Sequence, residues 1–540
     1  MTSTGPSKDR QTDRIAELET ELERLQSSAR FQLGDLLVSL GSPASWLGAP
    51  RRLARITHAL LARADVHRLA IALEWGTGDQ AARQIATLSS HERRQLAREC
   101  AGKASDALPG RTSTLDALSA LVQELRMGAD APASLFAPGS QEAGPSPSST
   151  NRVLFIVRSA LPAVRNGYAL RTHALARALI DAGWTVCVAV LDEADRIPEE
   201  IDGVLYQGAD AAAGRLGPEA WISARTASVS KIAAGFAPDI IHAASNFLCA
   251  AVASRIAAAE RKIWTYEVRG LWHITRSSVE PRFANGPGFA FQQSMEREAV
   301  RQANYVFANG PALEAWAAEA GALNTQSIPN CASAGPTPPM QLIQATREQW
   351  GVKPDVPVIG YLGRFTSYEG LQVLMEASAL LTKRNVHHTL VLAGDGPEYS
   401  ILRRRAAGTG QQVVFTGQLD DNNALLASHA FDIHAVPRLD LPVTRLVPPL
   451  KPLEAMTAGR PLVVSDLPSM SDIIAAGAAL ACRANDAKSL ASALERLIRD
   501  EALRARLGKA GRRLVNEQRS WDQAADHLSE RWRAIAGSEA

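Results

Sequence analysis

The sequence predicts an α/β protein in which two consecutive, doubly wound domains face each other across a cleft, after an α-helical N-terminal region. Two series of short apolar segments, one before and one after about residue 335, alternate with segments of helical periodicity. Such alternation predicts βαβ units and parallel sheets. The apolar segments also lack polar alternation, as in residues 462–464, which is typical of strands buried on both faces of a parallel sheet.

Residues 1–130 show helical periodicity and no catalytic pattern. A set of apolar residues recurs at a/d spacing and predicts a short coiled coil, so self-association through residues 13–29 is expected. The set consists of Ile15, Leu18, Leu22 and Leu25. A repeat of only about two heptads fits a single solvated amphipathic helix equally well.

Residues 131–150 separate this region from the α/β part of the chain. They contain four prolines, many small residues and no basic side chain, a composition typical of a linker. Because no pattern in this segment would bury surface in either neighbour, we expect residues 151–540 to fold without the first 150.

The first α/β domain is predicted over residues 151–335. Its strands are expected at 152–159, 185–193, 239–245, 262–270 and 305–310. The second domain, residues 336–540, repeats the pattern, with strands expected at 357–365, 388–397, 413–419, 431–438 and 461–466. In open α/β sheets, ligands bind at the carboxyl ends of the strands, so we expect the functional site in the cleft between the domains.

The amino-acid composition indicates which partners and which cellular compartment to expect. The 58 basic and 56 acidic residues nearly cancel, which gives no support for a nucleic-acid partner. The five cysteines form no CxxC pair, which favours a reducing compartment and no structural zinc. A polar N-terminus and the lack of any run of about 18 apolar residues predict a cytoplasmic protein, with any membrane contact peripheral, at the inner face.

Glu454 stands out within the stretch LKPLEAMTAGRPLVVSD, residues 450–466. The stretch predicts a helix that ends near Gly459 and is followed by a buried strand. Glu454 lies in the first turn of that helix, which would direct its carboxylate towards a ligand in the cleft. The alternative from this stretch alone is a solvated surface glutamate.

Several motifs resemble the GT-B glycosyltransferases of family 4. In the second domain, the order and spacing match that family's nucleotide-sugar domain in the blocks GYLGRF, EGLQVLMEASALL, LVLAGDGPEYSILRR, VVFTGQL, DIHAVPR and PLKPLEAMTAGRPLVVSD. In the first domain, NGYALRTHALARAL is similar to the family's glycine loop, and HAASNF and YEVRGLWHITRSS are similar to a bacterial subgroup. The resemblance covers about residues 151–535.

The resemblance implies two Rossmann-like domains, one for the acceptor and one for the nucleotide sugar. It also implies that a sugar passes from a nucleoside diphosphate sugar to a hydroxyl of a glycan or a lipid-linked acceptor, with retention of anomeric configuration, as in bacterial surface glycan biosynthesis. No metal or other cofactor is expected, and no DxD triplet occurs in the chain. Cations and helix N-termini would then stabilise the leaving diphosphate.

The resemblance also assigns roles to residues around the donor. Arg364, which follows Gly363 in GRF, matches the diphosphate-binding arginine, although a structural salt bridge is the alternative. Gly167 and the amides around Asn166 would approach the same diphosphate, unless they only start a helix. Glu454 matches the second glutamate of the family's E-x7-E motif, which binds the ribose hydroxyls.

Two positions depart from the family pattern. Leu446 stands where the first glutamate of E-x7-E is expected, which leaves the contact with the donor sugar in question. Glu369 stands where the family usually has a lysine that serves as a second diphosphate cation. Lys451 shares a helix face with Glu454 and is the expected substitute, whereas the alternative is a surface lysine that snorkels into solvent.

Further residues of the first domain are predicted to face the sugar or the acceptor. The imidazole of His242, at the end of a strand, would bind sugar hydroxyls or polarise the acceptor. A second group follows the next strand in YEVRGLWHITR and consists of Glu267, Arg269, Trp272 and Arg276. A salt bridge at the domain interface explains the charged members of this group equally well.

Two rival functions stay open at this point. A sugar-nucleotide epimerase would share the fold but not the PLKPLEAMTAG block. A catalytically silent scaffold, binding partners through its N-terminal helices, would explain Leu446 and Glu369. Release of nucleoside diphosphate with and without an acceptor distinguishes these readings from a transferase.

Overall fold

The structure is a computed structural model that describes residues 135–137, 150–192, 200–209, 218–285, 287–333, 335–407 and 412–537. The predicted helical region, with its coiled coil at residues 13–29, lies outside the described residues. None of the helices in the described ranges has the length and hydropathy of a membrane-spanning segment.

The first domain is built on a sheet of eight strands in the order β3-β4-β2-β1-β5-β6-β7-β8. All neighbouring strands are parallel except β3 and β4, which are antiparallel. The strands are β1 (Arg152–Val157), β2 (Thr185–Val190), β3 (Glu200–Ile201), β4 (Val204–Gly208), β5 (Ile240–Ala244), β6 (Ile263–Val268), β7 (Tyr305–Ala308) and β8 (Thr325–Ser327). The parallel sheet predicted for this domain is thereby confirmed.

Helices connect these strands and cover both faces of the sheet. They are α1 (Gly167–Asp181), α2 (Pro218–Phe236), α3 (Phe247–Glu260), α4 (Trp272–Val279), α5 (Pro287–Gln302) and α6 (Pro311–Ala320). Because helices pack on both faces, every residue of β5, β6 and β7 is buried. This accounts for the continuously apolar strands of the sequence.

The second domain contains a sheet of six strands in the order β11-β10-β9-β12-β13-β14. The strands are parallel and comprise β9 (Val358–Leu362), β10 (Thr389–Ala393), β11 (Val413–Gly417), β12 (Ile433–Val436), β13 (Leu462–Ser465) and β14 (Leu480–Cys482). The helices are α7 (Met340–Gln349), α8 (Leu371–Lys383), α9 (Tyr399–Ala407), α10 (Asp421–Ala430), α11 (Pro442–Leu446), α12 (Lys451–Thr457), α13 (Ser471–Ala475), α14 (Ala487–Arg499), α15 (Glu501–Gln518) and α16 (Trp521–Gly537).

Each sheet has a point where the direction of strand addition reverses. In the first domain this switch lies between β1 and β5, and in the second between β9 and β12. Loops leave the two flanking strands in opposite directions there and open a crevice at their carboxyl ends. These two crevices are where the fold offers ligand sites.

The segment predicted to be a linker is anchored to the first domain. Leu135 and Phe136 are 0% and 2% exposed and belong to the core cluster that includes residues of α2 and α3. The Nε of Arg255 donates to the Leu135 carbonyl oxygen at 2.9 Å, and the Ala137 amide donates to Ser254 Oγ at 3.4 Å. The expectation that this segment buries no surface is therefore wrong, because Leu135 and Phe136 are buried in the core of the first domain. Two adjacent apolar residues are too few to form a periodic pattern that the sequence would reveal.

The last helix of the chain, α16, packs on the first domain although it follows the second in sequence. Its Trp532 is fully buried, and the indole Nε1 donates to Thr265 Oγ1 on β6 at 3.2 Å. The Trp184 ring lies 5.1 Å from the Trp532 ring. The predicted boundary of the second domain at residue 540 is thus too late, because α16 completes the first core.

Candidate functional site

The crevice of the second domain contains Arg364, directly after β9. Its side chain is exposed, and within the described part of the chain it has no hydrogen bond or ion pair. The Tyr361 hydroxyl donates to the Arg364 carbonyl oxygen at 2.9 Å and so holds the backbone of this turn. The guanidinium is therefore available to a ligand, and the alternative of a structural salt bridge is not what the structure contains.

Gly363, the residue before Arg364, is in contact with the Lys451 side chain. A Cβ atom at Gly363 would lie 2.4 Å from Lys451 Cε, so a larger residue would displace the lysine side chain. Gly363 also has a φ of +140°, which favours glycine. Gly363 therefore allows the chain to turn after β9 and leaves space for the side chain of Lys451.

Glu369 fixes the position of the Lys451 ammonium. The carboxylate is buried, with its Oε1 3.2 Å from Lys451 Nζ and 3.6 Å from Arg438 Nε. Burial alone would raise the pKa of the Glu369 carboxyl, but Lys451 and Arg438 outweigh burial and lower the pKa. Glu369 is therefore charged, and the alternative of a freely solvated Lys451 does not hold.

Glu454 lies exposed on α12, three positions after Lys451. Protein around the cleft raises the pKa of the Glu454 carboxyl, while the positive charge of Lys451 lowers it, and the net shift is upward, to about 7. The Glu454 carbonyl accepts from Ser428 Oγ at 3.2 Å, which ties α12 to α10.

The N-terminus of α1 meets α12 across the cleft. The Asn166 side chain accepts from the Ala169 amide at 3.0 Å and caps the helix. A Cβ atom at Gly167 would lie 2.7 Å from Leu450 Cδ1, so the glycine allows the start of α1 to approach the second domain closely. Asn166 and Gly167 are thereby brought to the residue that precedes Lys451.

Leu446 packs against the core cluster of the first domain. Val447 and Pro448, which follow Leu446, approach glycines just after the carboxyl ends of β6 and β7. A Cβ atom at Gly270 would lie 3.6 Å from Val447, and one at Gly310 would lie 3.3 Å from Pro448. The apolar segment LVPPL therefore joins the domains, a role that its sequence did not indicate.

His242 is a correction to the predicted site. Its side chain is 0% exposed, its Nδ1 lies 2.8 Å from Thr265 Oγ1, and its ring packs against Phe155 and Trp532. Burial lowers the pKa of the imidazole and keeps it neutral. The prediction that it reaches a sugar or an acceptor is wrong, because β5 directs this side chain into the core beneath α16.

Glu267 and Arg269 are also buried instead of facing the cleft. Glu267 pairs with Arg269 and with Arg171, whose Nε donates to Glu267 Oε1 at 2.8 Å. Burial opposes ionisation, yet the two arginines hold the pKa of Glu267 well below its usual value. Arg171 also donates to the Ile328 carbonyl at 2.9 Å, in the connection to the second domain. These charged residues thus form a salt bridge inside the first domain and not one across the domain interface, and the sequence did not point to its third member, Arg171.

Trp272 and Arg276 both lie on α4 but differ in their exposure and contacts. Trp272 starts the helix and is 43% exposed, while Arg276 pairs with Glu280 and stacks on the Phe283 ring at 4.2 Å. Helix α4 also packs against α11 and the turn Ser367–Glu369 of the second domain. Trp272 therefore stays at the edge of the cleft, whereas Arg276 is engaged within its own domain.

Among the described residues, no group of three or more His, Cys, Asp or Glu side chains is arranged to hold a metal ion. The charged groups that the structure gathers in the second crevice are Lys451, Glu369 and Arg438, and the exposed Arg364 follows Gly363, against which Lys451 packs. Chemically, an exposed guanidinium and an ordered ammonium on the same turn of the crevice suit a phosphate or diphosphate.

Two family models match the chain. Residues 343–514 match the model described as glycosyl transferases group 1, and residues 166–331 match the glycosyl transferase 4-like domain. Together the matches cover more than half of the chain. The chain belongs to the GT-B glycosyltransferases of family 4.

Curated relatives of this family 4 chain align over part of their length. A GDP-mannose-dependent monoacylated alpha-(1-6)-phosphatidylinositol monomannoside mannosyltransferase from Corynebacterium glutamicum is 28% identical over 34% of this chain and 49% of that protein. An alpha-D-kanosaminyltransferase from Streptomyces kanamyceticus is 30% identical over 35% of this chain and 48% of that protein. The chain thus spans about half the length of the curated relatives it matches.

Solved structures share the fold. Sucrose-phosphate synthase from Thermosynechococcus elongatus aligns with a TM-score of 0.59 and 21% identity, over 72% of this chain and all of that chain. HepE from Anabaena, in complex with UDP-glucose, aligns with a TM-score of 0.55 and 19% identity, over 71% of this chain and 99% of that chain. The predicted GT-B architecture is therefore confirmed.

Proposed function

We propose that the protein transfers a sugar from a nucleoside diphosphate sugar to an acceptor hydroxyl, with retention and without a metal, in the synthesis of a bacterial surface glycan. The observation that carries this proposal lies at the switch point of the second sheet, where Arg364 is exposed and the Lys451 side chain packs against the preceding residue, Gly363. The names of the Corynebacterium and Streptomyces relatives support a glycosyl donor of this kind.

The chemistry requires stabilisation of a leaving diphosphate. The bond from the anomeric carbon to the diphosphate breaks through an oxocarbenium-like state, so negative charge grows on the leaving oxygen. Arg364 would present two parallel donors to phosphate oxygens, and Lys451 would add a second charge. The first amides of α1, at Gly167, would approach from the opposite domain.

Glu369 would act as a positioning residue for this step. Its ion pair with Lys451 keeps the ammonium close to Gly363, beside the path of the diphosphate. A preorganised cation costs no reorganisation when charge develops. Glu454, exposed on the same helix, would accept hydrogen bonds from the ribose hydroxyls.

The acceptor is proposed to be a glycan or a lipid-linked sugar, and the setting to be cytoplasmic, at the inner face of the membrane. One observation favours a second candidate, a catalytically silent scaffold that binds nucleotide sugars. Leu446 takes the position of a family carboxylate and is occupied in joining the domains, so a sugar contact from that position is absent.

The test is release of nucleoside diphosphate from a panel of UDP-, GDP- and ADP-sugars, with and without bacterial glycolipid extract. Thermal stabilisation by free UDP, GDP and ADP identifies the base, because a ligand that binds only the folded state stabilises it. Acceptor-dependent release supports the proposal, binding without release supports the scaffold, and interconversion of the sugar without acceptor indicates an epimerase. Arg364→Ala should abolish nucleotide binding, while Arg404→Ala, exposed on α9, serves as the matched control.

A further inference from the structure

The crevice at the switch point of the first sheet holds a polar bridge between β1 and β5. Arg158, the residue after β1, donates from its amide to the Tyr168 hydroxyl at 3.2 Å. That hydroxyl in turn donates to the carbonyl oxygen of Ala244, the last residue of β5, at 3.1 Å. The backbone of Arg158 is therefore held where ligands bind in sheets of this topology.

Above this bridge, Arg158 lies close to two indole rings. Its guanidinium carbon is 5.2 Å from the ring centroid of Trp221, on α2, and 5.5 Å from that of Trp272, the first residue of α4. Arg158 Nε donates to Asp192 Oδ2 at 2.7 Å, and the Asp192 amide donates to the Arg158 carbonyl at 2.9 Å. Four side chains from separate connections thus form one surface, here called the aromatic platform.

The charges of the aromatic platform favour an uncharged ligand. The positive charge of Arg158 is offset by Asp192, and the two remain partly open to solvent, at 21% and 33% exposure of their side chains. Arg225, 5.0 Å from the Trp221 ring, donates its Nε to the Leu191 carbonyl at 2.8 Å. A phosphate at the platform would have to compete with the Asp192 carboxylate for Arg158, and the resulting like-charge contact costs free energy. Hydroxyl groups, in contrast, can donate to Asp192 and accept from Arg158.

The platform also adjoins the proposed donor site. Helix α4, which begins with Trp272, packs against the turn Ser367–Glu369, and Glu369 holds Lys451. A ligand stacked on the exposed face of Trp272 would therefore lie next to the place where the sugar is released.

We propose that Arg158, Asp192, Trp221 and Trp272 bind a neutral pyranose ring of the acceptor, an inference that rests on the proposed glycosyl transfer. The exposed Trp272 indole stacks on the apolar face of the ring. Asp192 and Arg158 bind its hydroxyls and set its orientation. These are binding residues and take no part in breaking the donor bond.

The first experiment measures binding, without turnover. Saturation-transfer NMR is recorded on the full-length protein with methyl α- and β-pyranosides of glucose, mannose, galactose and N-acetylglucosamine, and with the 6-phosphates of the first three. We expect at least one neutral pyranoside to bind, and Trp272→Ala to weaken it by about tenfold, equivalent to about 1.4 kcal/mol. Trp272→Phe should recover most of the binding. Val279→Ala, at the 55% exposed last position of the same helix, should change nothing.

The second experiment separates this inference from the proposed function. In the diphosphate-release assay, Trp272→Ala and Asp192→Asn should raise the acceptor KM about tenfold and leave the thermal shift produced by UDP, GDP or ADP unchanged. Failure of the wild type to release diphosphate would reject the transferase proposal itself. A wild type that releases diphosphate but binds no neutral pyranoside, prefers the sugar phosphates, or is unaffected by Trp272→Ala would overturn the platform proposal.

Discussion

Phe136 gives the sharpest test of how the chain preceding the α/β domains is held. Its side chain is 2% exposed and packs in the core of the first domain beside Leu135. Replacing a buried Phe by Ala costs about 3 to 5 kcal/mol through lost transfer free energy and the cavity that remains. For a domain of 150 to 250 residues, about 1 kcal/mol moves the melting temperature by roughly 2 to 4 °C. Phe136→Ala should therefore lower the melting temperature of the first domain by about 6 to 20 °C.

The assay is thermal unfolding followed by tryptophan fluorescence, to which the buried Trp264 and Trp532 of the first domain contribute. Leu323→Ala is the matched control, since Leu323 is 70% exposed and its truncation should cost less than about 0.5 kcal/mol. Two truncated chains, 131–540 and 151–540, provide a second comparison, and the longer one should have the higher melting temperature. Equal melting temperatures for these two chains would refute the anchoring of residues 135–137.

Three further predictions concern single side chains. Lys451→Ala should lower kcat at least tenfold, about 1.4 kcal/mol, with a smaller change in donor affinity, because the ammonium stabilises the charge that develops on the leaving group. Lys451→Arg, which keeps the charge, is the control. Turnover of Lys451→Ala within twofold of wild type would contradict this prediction. Glu454→Gln should weaken nucleotide binding by about 1 to 3 kcal/mol, measured by calorimetry with UDP, GDP and ADP, and unchanged affinity would mark Glu454 as a surface residue. Glu296 is buried, and burial raises the pKa of its carboxyl from 4.5 to about 7 despite hydrogen bonds from Tyr266 and the Phe247 amide. Because the folded state holds this proton more tightly, the stability linked to it is present below pH 4.5 and is lost as the pH rises through 7. The melting temperature of Glu296→Gln should therefore rise relative to that of the wild type as the pH increases from 5 to 8. Parallel pH profiles of the two proteins would show that the carboxyl does not titrate in this range.

The architecture, and the grouping of the residues proposed to bind the donor, follow from local sequence. Continuously apolar strands alternating with helices can be buried only in parallel sheets covered on both faces, and such sheets bring their strand ends to one edge. Gly363, Arg364, Lys451 and Glu454 follow strands or start helices at that edge, so their positions in the chain were sufficient to group them. The signal is local, because each residue lies next to the element that places it.

Tertiary structure alone decided where the charged residues of the first domain point. A strand buried on both faces has no polar alternation, so its sequence does not reveal which side a residue faces. His242 and Glu267 were therefore expected in the cleft, but they lie beneath α16 and in an ion pair with Arg171.

Contacts between residues far apart in the chain were likewise invisible in the sequence. Arg158 gathers with Trp221 and Trp272 only because the order of strands brings their connections together. Phe136 fills a hollow that exists only after α2 and α3 have packed. A burial of this kind depends on the shape of the receiving surface, which is a property of the assembled core and of no single stretch of sequence.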